Sequence, residues 1–233
     1  MLAISDLTTH YGSSQALFGV NLKLETGQVA TILGRNGMGK TTTINSIMGI
    51  VPPSGGSVLF DGQELVGWKS FRIANLGLGL VPEGRQIFPN LTLMENLVAT
   101  ASNHLGMENP WTVDRIFALF PELQARSSSM GNLLSGGEQQ MLAISRALMT
   151  NPKLLILDEA TEGLAPLVRR KIWGALTQIR EQGISILVVD KNLADLMRIA
   201  DRHFIIQRGC VVWEGSSAEL EKDGSVRQTY LGL

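Results

Sequence analysis

A phosphate-binding loop constrains the fold of this chain more than any other segment. It matches the pattern G-x-x-x-x-G-K-[ST] in full and consists of Gly34, Arg35, Asn36, Gly37, Met38, Gly39, Lys40 and Thr41. The apolar run 29–33 before it predicts a buried strand, and the residues from about Gly39 to Gly49 predict a helix. A strand, a glycine-rich turn and a helix in this order form the context in which the pattern binds a nucleoside triphosphate.

The residue types of this loop suit a triphosphate. Glycines let successive backbone N–H groups turn towards the β-phosphate, and the helix N-terminus adds partial positive charge. We expect Lys40 to reach the β- and γ-phosphates and the Thr41 hydroxyl to bind Mg²⁺. Thr42, the next residue, is included in the predicted nucleotide site. A chance glycine-rich turn is the alternative, and the strand and helix that flank the loop argue against it.

A second predicted strand ends in two carboxylates. The apolar residues 154–157 predict a buried strand, and Asp158 and Glu159 follow it directly. Ligands of open α/β sheets bind at the carboxyl ends of the strands. We therefore predict that Asp158 holds Mg²⁺, directly or through water, and that Glu159 is the general base for the attacking water. An Asp-Glu turn on the surface after a core strand is the alternative.

Alternating strand and helix patterns predict an α/β fold. The runs 153–157 and 184–189 are apolar without polar alternation, and apolar residues recur between them at helical spacing. Such strands, separated by helices, are typical of a parallel sheet that is buried on both faces. Further strands are predicted at 2–7, 20–24, 57–60, 203–207 and 210–214. Helices are predicted at 92–102, 111–120 and 136–149, within a helical insert.

Composition limits the partners and the compartment. Lys and Arg number 20 against 21 Asp and Glu, and the net charge of −1 argues against a dedicated nucleic-acid binder, which normally carries a basic excess. The single cysteine, Cys210, cannot form an internal disulfide. No apolar run reaches the ~18–20 residues that span a bilayer, and the first residues lack the pattern of a signal peptide. We therefore expect a soluble, intracellular protein that meets a membrane through partners.

The segment before the acidic strand carries a resemblance to a known family. It consists of Leu134, Ser135, Gly136, Gly137, Glu138, Gln139 and Gln140. Ser135 and Glu138 fit a capping box at a helix start, which is the plainer interpretation. Together with the phosphate loop and the acidic strand, the segment resembles the signature sequence of ABC ATPases. In that family this helix start meets the γ-phosphate bound by a second ATPase subunit, so the resemblance implies a homodimer or heterodimer with ATP between the subunits.

The resemblance to ABC ATPases covers nearly the whole chain. Tyr11 matches the aromatic residue that stacks on adenine, although an ordinary edge residue is the alternative. Residues 161–165 lie at the D-loop position, where Glu162 places a charge at a dimer contact. Glu83 falls at the Q-loop, where a carboxylate can bind Mg²⁺ or its water and take part in catalysis.

The family also implies an architecture for the chain. It consists of one P-loop NTPase domain of ABC-ATPase fold, with a mostly parallel core sheet, an N-terminal antiparallel β subdomain and a helical subdomain. Residues 1–82 and 150–233 correspond to the core and the β subdomain, and about 83–149 to the helical subdomain. Through the helical subdomain, such subunits engage transmembrane permease subunits.

Within ABC ATPases, the chain is most similar to the smaller ATPase of bacterial branched-chain amino acid importers. The segments 81–85, 134–144 and 163–166 and the C-terminal residues 230–233 are typical of that group. Importers of urea and short amides share these traits and stay an alternative. The resemblance implies a peripheral subunit at the cytoplasmic face of the inner membrane, which uses ATP and Mg²⁺ and acts indirectly with an external solute-binding protein.

One departure from the family bears on catalysis. After the apolar strand and Asp190, the switch histidine of ABC ATPases is replaced by Lys191. Lysine can donate to a γ-phosphate, but it does not easily orient the general base, and the loss of one such donor costs about 10²–10³ in rate. We predict Lys191 as a catalytic residue. The alternatives are a side chain that points into solvent, and a subunit that binds ATP but hardly hydrolyses it.

Overall fold

The computed structural model describes residues 1–232. Within this range the chain forms ten strands: β1 (Leu2–Tyr11), β2 (Ser14–Leu24), β3 (Val29–Leu33), β4 (Gly55–Phe60), β5 (Gln63–Glu64), β6 (Leu78–Val81), β7 (Leu154–Asp158), β8 (Ser185–Val189), β9 (Arg202–Gln207) and β10 (Cys210–Gly215). The α-helices of the same range are α1 (Lys40–Ile47), α2 (Ser70–Asn75), α3 (Leu93–Ala99), α4 (Val113–Leu119), α5 (Pro121–Gln124), α6 (Gly136–Leu148), α7 (Pro166–Glu181), α8 (Leu193–Ile199), α9 (Ser217–Lys222) and α10 (Gly224–Val226). A 3₁₀ turn (Gly131–Leu133) precedes α6, and a π-helical turn (Arg227–Leu231) follows α10.

A six-stranded sheet forms the centre of the described chain, in the order β10-β9-β3-β8-β7-β6. Its strands are parallel apart from β10, which pairs antiparallel with β9. Every residue of β3, β7 and β8 is buried. Both faces of these strands are covered, which explains why their sequences lack polar alternation. The predicted α/β class with a mostly parallel core sheet is confirmed.

Alternate residues of the central strands pack into two hydrophobic clusters. Leu154 and Ile156 of β7 belong to the cluster that contains α1 and the N-terminal strands, whereas Leu155 and Leu157 belong to the cluster that contains α3 to α7. This alternation follows from the period of two residues in a strand. Because β3, β7 and β8 are parallel, their carboxyl ends lie at the same edge of the sheet.

A four-stranded antiparallel sheet, in the order β2-β1-β4-β5, confirms the predicted β subdomain. Its first hairpin, β1 and β2, is longer than the predicted strands at 2–7 and 20–24. The additional residues of β1 are polar, yet Thr9 is fully buried and its hydroxyl lies 2.8 Å from the Ser46 hydroxyl. The apolar alternation in the sequence therefore predicted only part of the hairpin that β1 and β2 form.

The predicted helices of the insert are present with shifted ends. Capping boxes start α3, through Thr92 and Glu95, and α6, through Ser135 and Glu138. The helix predicted at 92–102 ends at Ala99, because the chain turns and the N–H of a later residue, 102, bonds to a backbone oxygen beyond α6. The helices α3 to α6 lie inside the range 83–149, and the division into subdomains at these bounds stays a prediction.

Several elements have no counterpart in the predicted pattern, among them α2, β6 and α9. The strand β6 has four residues and contains Gly79, so no apolar period marks it. A Cβ on Gly79 would lie 3.1 Å from Pro152 Cβ and 3.2 Å from the Ala147 oxygen, so glycine permits the close approach of β6 and α6. In residues 1–232 no helix has the length and apolar character needed to cross a membrane.

Candidate functional site

A cleft of about 630 Å³ opens at the carboxyl ends of β3, β7 and β8. The residues that line it are Gln15, Ala16, Phe18, Asn36, Gly37, Gly39, Lys40, Thr41, Thr42, Glu83, Glu159, Glu162, Lys191, Arg208 and Gly209. The structure thus brings the predicted phosphate loop together with Glu83, Glu159 and Lys191, which are far apart in the sequence.

The phosphate loop connects β3 to α1 in a conformation that favours glycine. Gly34, Gly37 and Gly39 have φ angles of 141°, 76° and 108°, a region that residues with a side chain rarely adopt. Gly39 is the residue before α1, and it provides no side-chain cap for the helix. The N–H groups of the first turn of α1 are therefore available to an anion.

Lys40 stabilises this loop through hydrogen bonds to its backbone. Its ammonium donates to the carbonyl oxygens of Gly34 at 2.9 Å and Arg35 at 3.0 Å. Burial lowers the pKa of Lys40, while the nearby carboxylates of Glu159 and Asp158 oppose that shift. A cation in the loop, beside a helix start that attracts anions, is compatible with phosphate binding, and this role of Lys40 stays a prediction.

Asp158, the last residue of β7, lies beside Thr41. Burial raises the pKa of Asp158, while the neighbouring Thr41 hydroxyl opposes that shift. Within residues 1–232, the Oδ1 atom of Asp158 has no hydrogen-bond partner. A buried carboxylate oxygen is costly unless a cation or a donor meets it. Thr41, Asp158 and Glu83 also line one adjoining cavity of about 290 Å³. These oxygen donors are of the type that Mg²⁺ binds, so the residues fit the predicted metal.

Three carboxylates gather at one end of the cleft. Those of Glu83, Glu159 and Glu162 each place an oxygen within 4.8 Å of the others. Glu159 has a left-handed φ of 54°, and its N–H donates to the Val189 oxygen at 2.8 Å. A hydrogen bond with Glu162 and partial burial raise the pKa of Glu159 to about 7. Glu159 can therefore take up a proton near neutral pH, as a general base must.

Lys191 lies at the same end of the cleft. Its ammonium pairs with the Glu162 carboxylate and lies 3.6 Å from Oε2 of Glu159. The hydrogen bond to Glu162 is the main reason why the pKa of Lys191 is raised. The side chain is 48% exposed, but its charged end contacts two carboxylates instead of pointing freely into solvent.

The family of this chain follows from its similarity to known proteins. A family model described as "ABC transporter" matches residues 17–162. The chain belongs to this family. It is 38% identical to BraG, a high-affinity branched-chain amino acid transport ATP-binding protein of Pseudomonas aeruginosa, over the full length of both chains. It is 30% identical to LptB, the lipopolysaccharide export system ATP-binding protein of Escherichia coli, over 99% of this chain and 97% of LptB.

Solved ABC structures share the fold. A nucleotide-free ATP-binding cassette from an ABC transporter has a TM-score of 0.84 at 25% identity, over 97% of this chain and 96% of that chain. A dimeric bacterial ABC transporter cassette has a TM-score of 0.80 at 25% identity, over 93% of this chain and 99% of that chain. The resemblance seen in the sequence is confirmed. The chain is an ABC ATPase, an ATP-hydrolysing transporter subunit.

The signature residues of this ABC ATPase lie outside the cleft of the single chain. Ser135 Oγ accepts from the Glu138 N–H at 3.3 Å, and Glu138 Oε2 accepts from the Ser135 N–H at 2.7 Å. A Cβ on Gly136 would meet the Arg85 guanidinium at 2.8 Å, and Gly137 packs closely against α7. The structure therefore does not bring these four residues, 135–138, to the phosphate loop of their own subunit.

Other predicted residues of the ABC ATPase also lie away from the cleft lining. Tyr11, at the end of β1, is 49% exposed, and the aromatic ring in the lining belongs to Phe18. The Arg35 guanidinium lies beside the C-terminal segment. The Met38 sulfur accepts a hydrogen bond from the Arg208 N–H at 3.3 Å. Gly34, Arg35 and Met38 thus shape the loop through their backbone.

Part of the cleft was not predicted, namely the section formed by β2 and the turn between β9 and β10. Gln15, Ala16 and Phe18 come from β2, and Arg208 and Gly209 from the turn. Backbone bonds join these segments, since the Phe18 N–H donates to the Gly209 oxygen at 2.8 Å and the Gly209 N–H to the Met38 oxygen at 2.9 Å. Phe18 interrupts the alternation of β2, because it is an aromatic residue on the exposed side of a strand whose other side is buried.

Proposed function

We propose that this ABC ATPase binds and hydrolyses Mg-ATP to drive the import of branched-chain amino acids. The observation that carries the proposal is the 38% identity with BraG, which covers the whole of both chains. The similarity to LptB is lower, at 30%, so lipopolysaccharide export is the weaker candidate. Import of urea or short amides stays an alternative substrate class, because those importers share the same sequence traits.

The contacts in the cleft support defined roles in hydrolysis. Lys40 and the N–H groups of the phosphate loop hold the β- and γ-phosphates. Thr41, Asp158 and Glu83 would hold Mg²⁺, which when bound neutralises charge on the phosphates. Glu159 polarises the attacking water and accepts its proton, and Lys191 donates to the γ-phosphate.

The adenine has two aromatic candidates in this chain. Tyr11 is supported by the motif, and Phe18 by its position in the cleft lining. A ring stacked on a base contributes about 1–3 kcal/mol in single-strand binders. Both rings are about half exposed, so each offers a free face to a base.

We infer that a second ABC ATPase subunit completes the site. The start of α6 carries Ser135 and two glycines but lies away from the phosphate loop of its own chain, which supports a role towards the nucleotide of a partner. The partial positive charge at the start of a helix attracts a phosphate. A homodimer and a heterodimer are both compatible with this arrangement.

A groove beside Glu83 supports docking of a transmembrane permease. It measures about 410 Å³ and lies between β6, the segment 82–88 and α6. Phe88 is 41% exposed there, and the Arg146 guanidinium lies 4.1 Å from the centre of its ring. An apolar side chain of a permease segment would fill this groove. In this proposal the subunit is peripheral, at the cytoplasmic face of the inner membrane, and an external solute-binding protein delivers the substrate.

Purification of the native complex tests the substrate. The tagged chain is isolated from its own membranes with its partners and placed in lipid nanodiscs, and ATP hydrolysis is measured with the solute-binding protein empty, loaded with leucine or loaded with urea. We expect stimulation by the leucine-loaded protein. Stimulation by the urea-loaded protein and not by the leucine-loaded protein would favour import of urea over branched-chain amino acids. Co-purification with lipopolysaccharide export components would contradict import.

Glu159→Gln tests whether this subunit hydrolyses ATP in that complex. We expect a loss of about 10²–10⁴ in rate, the usual contribution of a general base, and an ATP-dependent dimer on gel filtration. The matched control is the equivalent substitution in the companion ATPase. If Glu159→Gln leaves hydrolysis intact while the companion change abolishes it, this chain is the weakly hydrolysing subunit.

A further inference from the structure

We propose that Glu162 and Asp190 are positioning residues that control where the Lys191 ammonium lies. Asp190 ties the Lys191 segment to the loop that carries Glu159. Glu162 holds the ammonium beside Glu159 until the terminal phosphate of ATP competes for it, an inference that rests on the ATP hydrolysis proposed above.

Asp190 joins the two loops that follow β7 and β8. Asp190 is 7% exposed. Oδ2 accepts from the Thr161 N–H at 2.9 Å and from the Thr161 hydroxyl at 2.7 Å, while Oδ1 accepts from the Asn192 N–H at 2.9 Å. A buried carboxylate is stable when donors surround it in this way. Movement of the loop after β8 is therefore coupled to the loop of Glu159.

Electrostatic attraction to nearby carboxylates holds the Lys191 ammonium in the cleft. The carboxylates of Glu83, Glu159 and Glu162 lie close enough to repel one another. Lys40, the other lysine of the cleft lining, already donates to two loop oxygens. The Lys191 ammonium is thus the side-chain cation that contacts Glu159 in the described chain, and its closer partner is Glu162.

ATP changes the competition for this ammonium. Lys191 and Lys40 line the same cleft, so a triphosphate on the phosphate loop brings its terminal phosphate into the range of Lys191. That phosphate carries more negative charge than one carboxylate, and it attracts the ammonium away from Glu162. ADP lacks the terminal phosphate and leaves the Lys191–Glu162 pair in place. Breaking the Lys191–Glu162 pair therefore costs free energy when ATP binds but not when ADP binds.

Nucleotide binding to the full chain tests the role of Glu162. Equilibrium constants are measured for ADP and for a non-hydrolysable ATP analogue with a nitrogen bridge between the β- and γ-phosphates. We expect Glu162→Gln to tighten binding of the analogue about two- to fivefold, the factor that corresponds to one exposed ion pair, and to leave ADP binding unchanged. In the Lys191→Gln background, Glu162→Gln should have no effect on either nucleotide.

Glu122 provides a matched control, since it also pairs with a half-exposed lysine, Lys171, at 2.8 Å. Glu122→Gln should change neither affinity. The proposal is overturned if Glu162→Gln shifts ADP and the analogue equally, or if its effect persists without Lys191.

Hydrolysis by the assembled transporter tests the role of Asp190. We expect Asp190→Asn to lower kcat about 10- to 100-fold, the range expected when a catalytic group is misplaced, with KM for ATP within about twofold. Asp190→Glu, which keeps the charge, should recover part of kcat. An unchanged kcat for Asp190→Asn, or an Asp190→Glu variant no better than Asp190→Asn, would contradict the positioning role.

Discussion

Two glycines of the phosphate loop should respond very differently to the same substitution. Gly34 and Gly37 both have positive φ angles, 141° and 76°. A Cβ on Gly34 would lie 2.3 Å from the backbone oxygen of Ile206, whereas a Cβ on Gly37 would meet nothing within 4 Å. The close contact arises because β3 and β9 pair in parallel up to Leu33 and Ile205, so Gly34 follows directly beside β9.

The magnitudes follow from these environments. An L-residue at positive φ costs about 1–2 kcal/mol, and the lower entropy of the unfolded chain returns about 0.4–1 kcal/mol when glycine becomes alanine. Gly37→Ala should therefore destabilise the chain by between about 0 and about 1.6 kcal/mol. Gly34→Ala adds overpacking against backbone, which costs about 1–3 kcal/mol. We expect a difference of about 2 kcal/mol between the two variants.

Urea denaturation without nucleotide measures this difference, because any clash of the new methyl group with ATP is then excluded. The free energies of unfolding of both variants are compared with that of the unsubstituted chain at equal m-values. If Gly37→Ala destabilises as much as Gly34→Ala, the steric account of the loop is refuted.

Two further predictions concern charged groups. Lys40→Ala should abolish measurable ATP binding while the chain stays folded, and equilibrium binding that is unchanged in this variant would contradict the phosphate-loop assignment. Burial lowers the pKa of His203 to about 4 from 6.5, so the unfolded chain binds a proton more readily between these values. The stability that neutral His203 contributes is complete above pH 6.5 and falls as the pH drops towards 4, by up to about 3 kcal/mol. His203→Gln should unfold with a weaker pH dependence in this range, and identical urea titration series for both proteins would disprove the link.

Local patterns predicted the strands that precede the phosphate loop and the acidic pair. The strand before the loop has the predicted bounds, Val29–Leu33, because five apolar residues followed by a glycine-rich turn mark both ends. Asp158 and Glu159 were found in the same way, from a buried strand with carboxylates at its end. Each of these predictions rests on neighbours in sequence.

Contacts between segments that are distant in the sequence were not predicted. Phe18 and Arg208 line the cleft through the contact of β2 with the turn after β9, which no local period reveals. Lys191 and Glu162 were noticed as departures from the family, but their ion pair depends on the parallel neighbours β7 and β8. The predicted role of Ser135 in binding a phosphate depends on a second chain.

The backbone bonds that join Phe18, Gly209 and Met38 have a consequence for the entropy of nucleotide binding. They connect a strand of the antiparallel sheet, a hairpin near the C-terminus and the phosphate loop, and we call these three connected segments the frame. The entropy of arranging these segments is lost when the protein folds, so ATP does not have to order them on arrival. Weakening this frame at the hairpin should therefore lower the affinity for nucleotide even though no phosphate contact is removed.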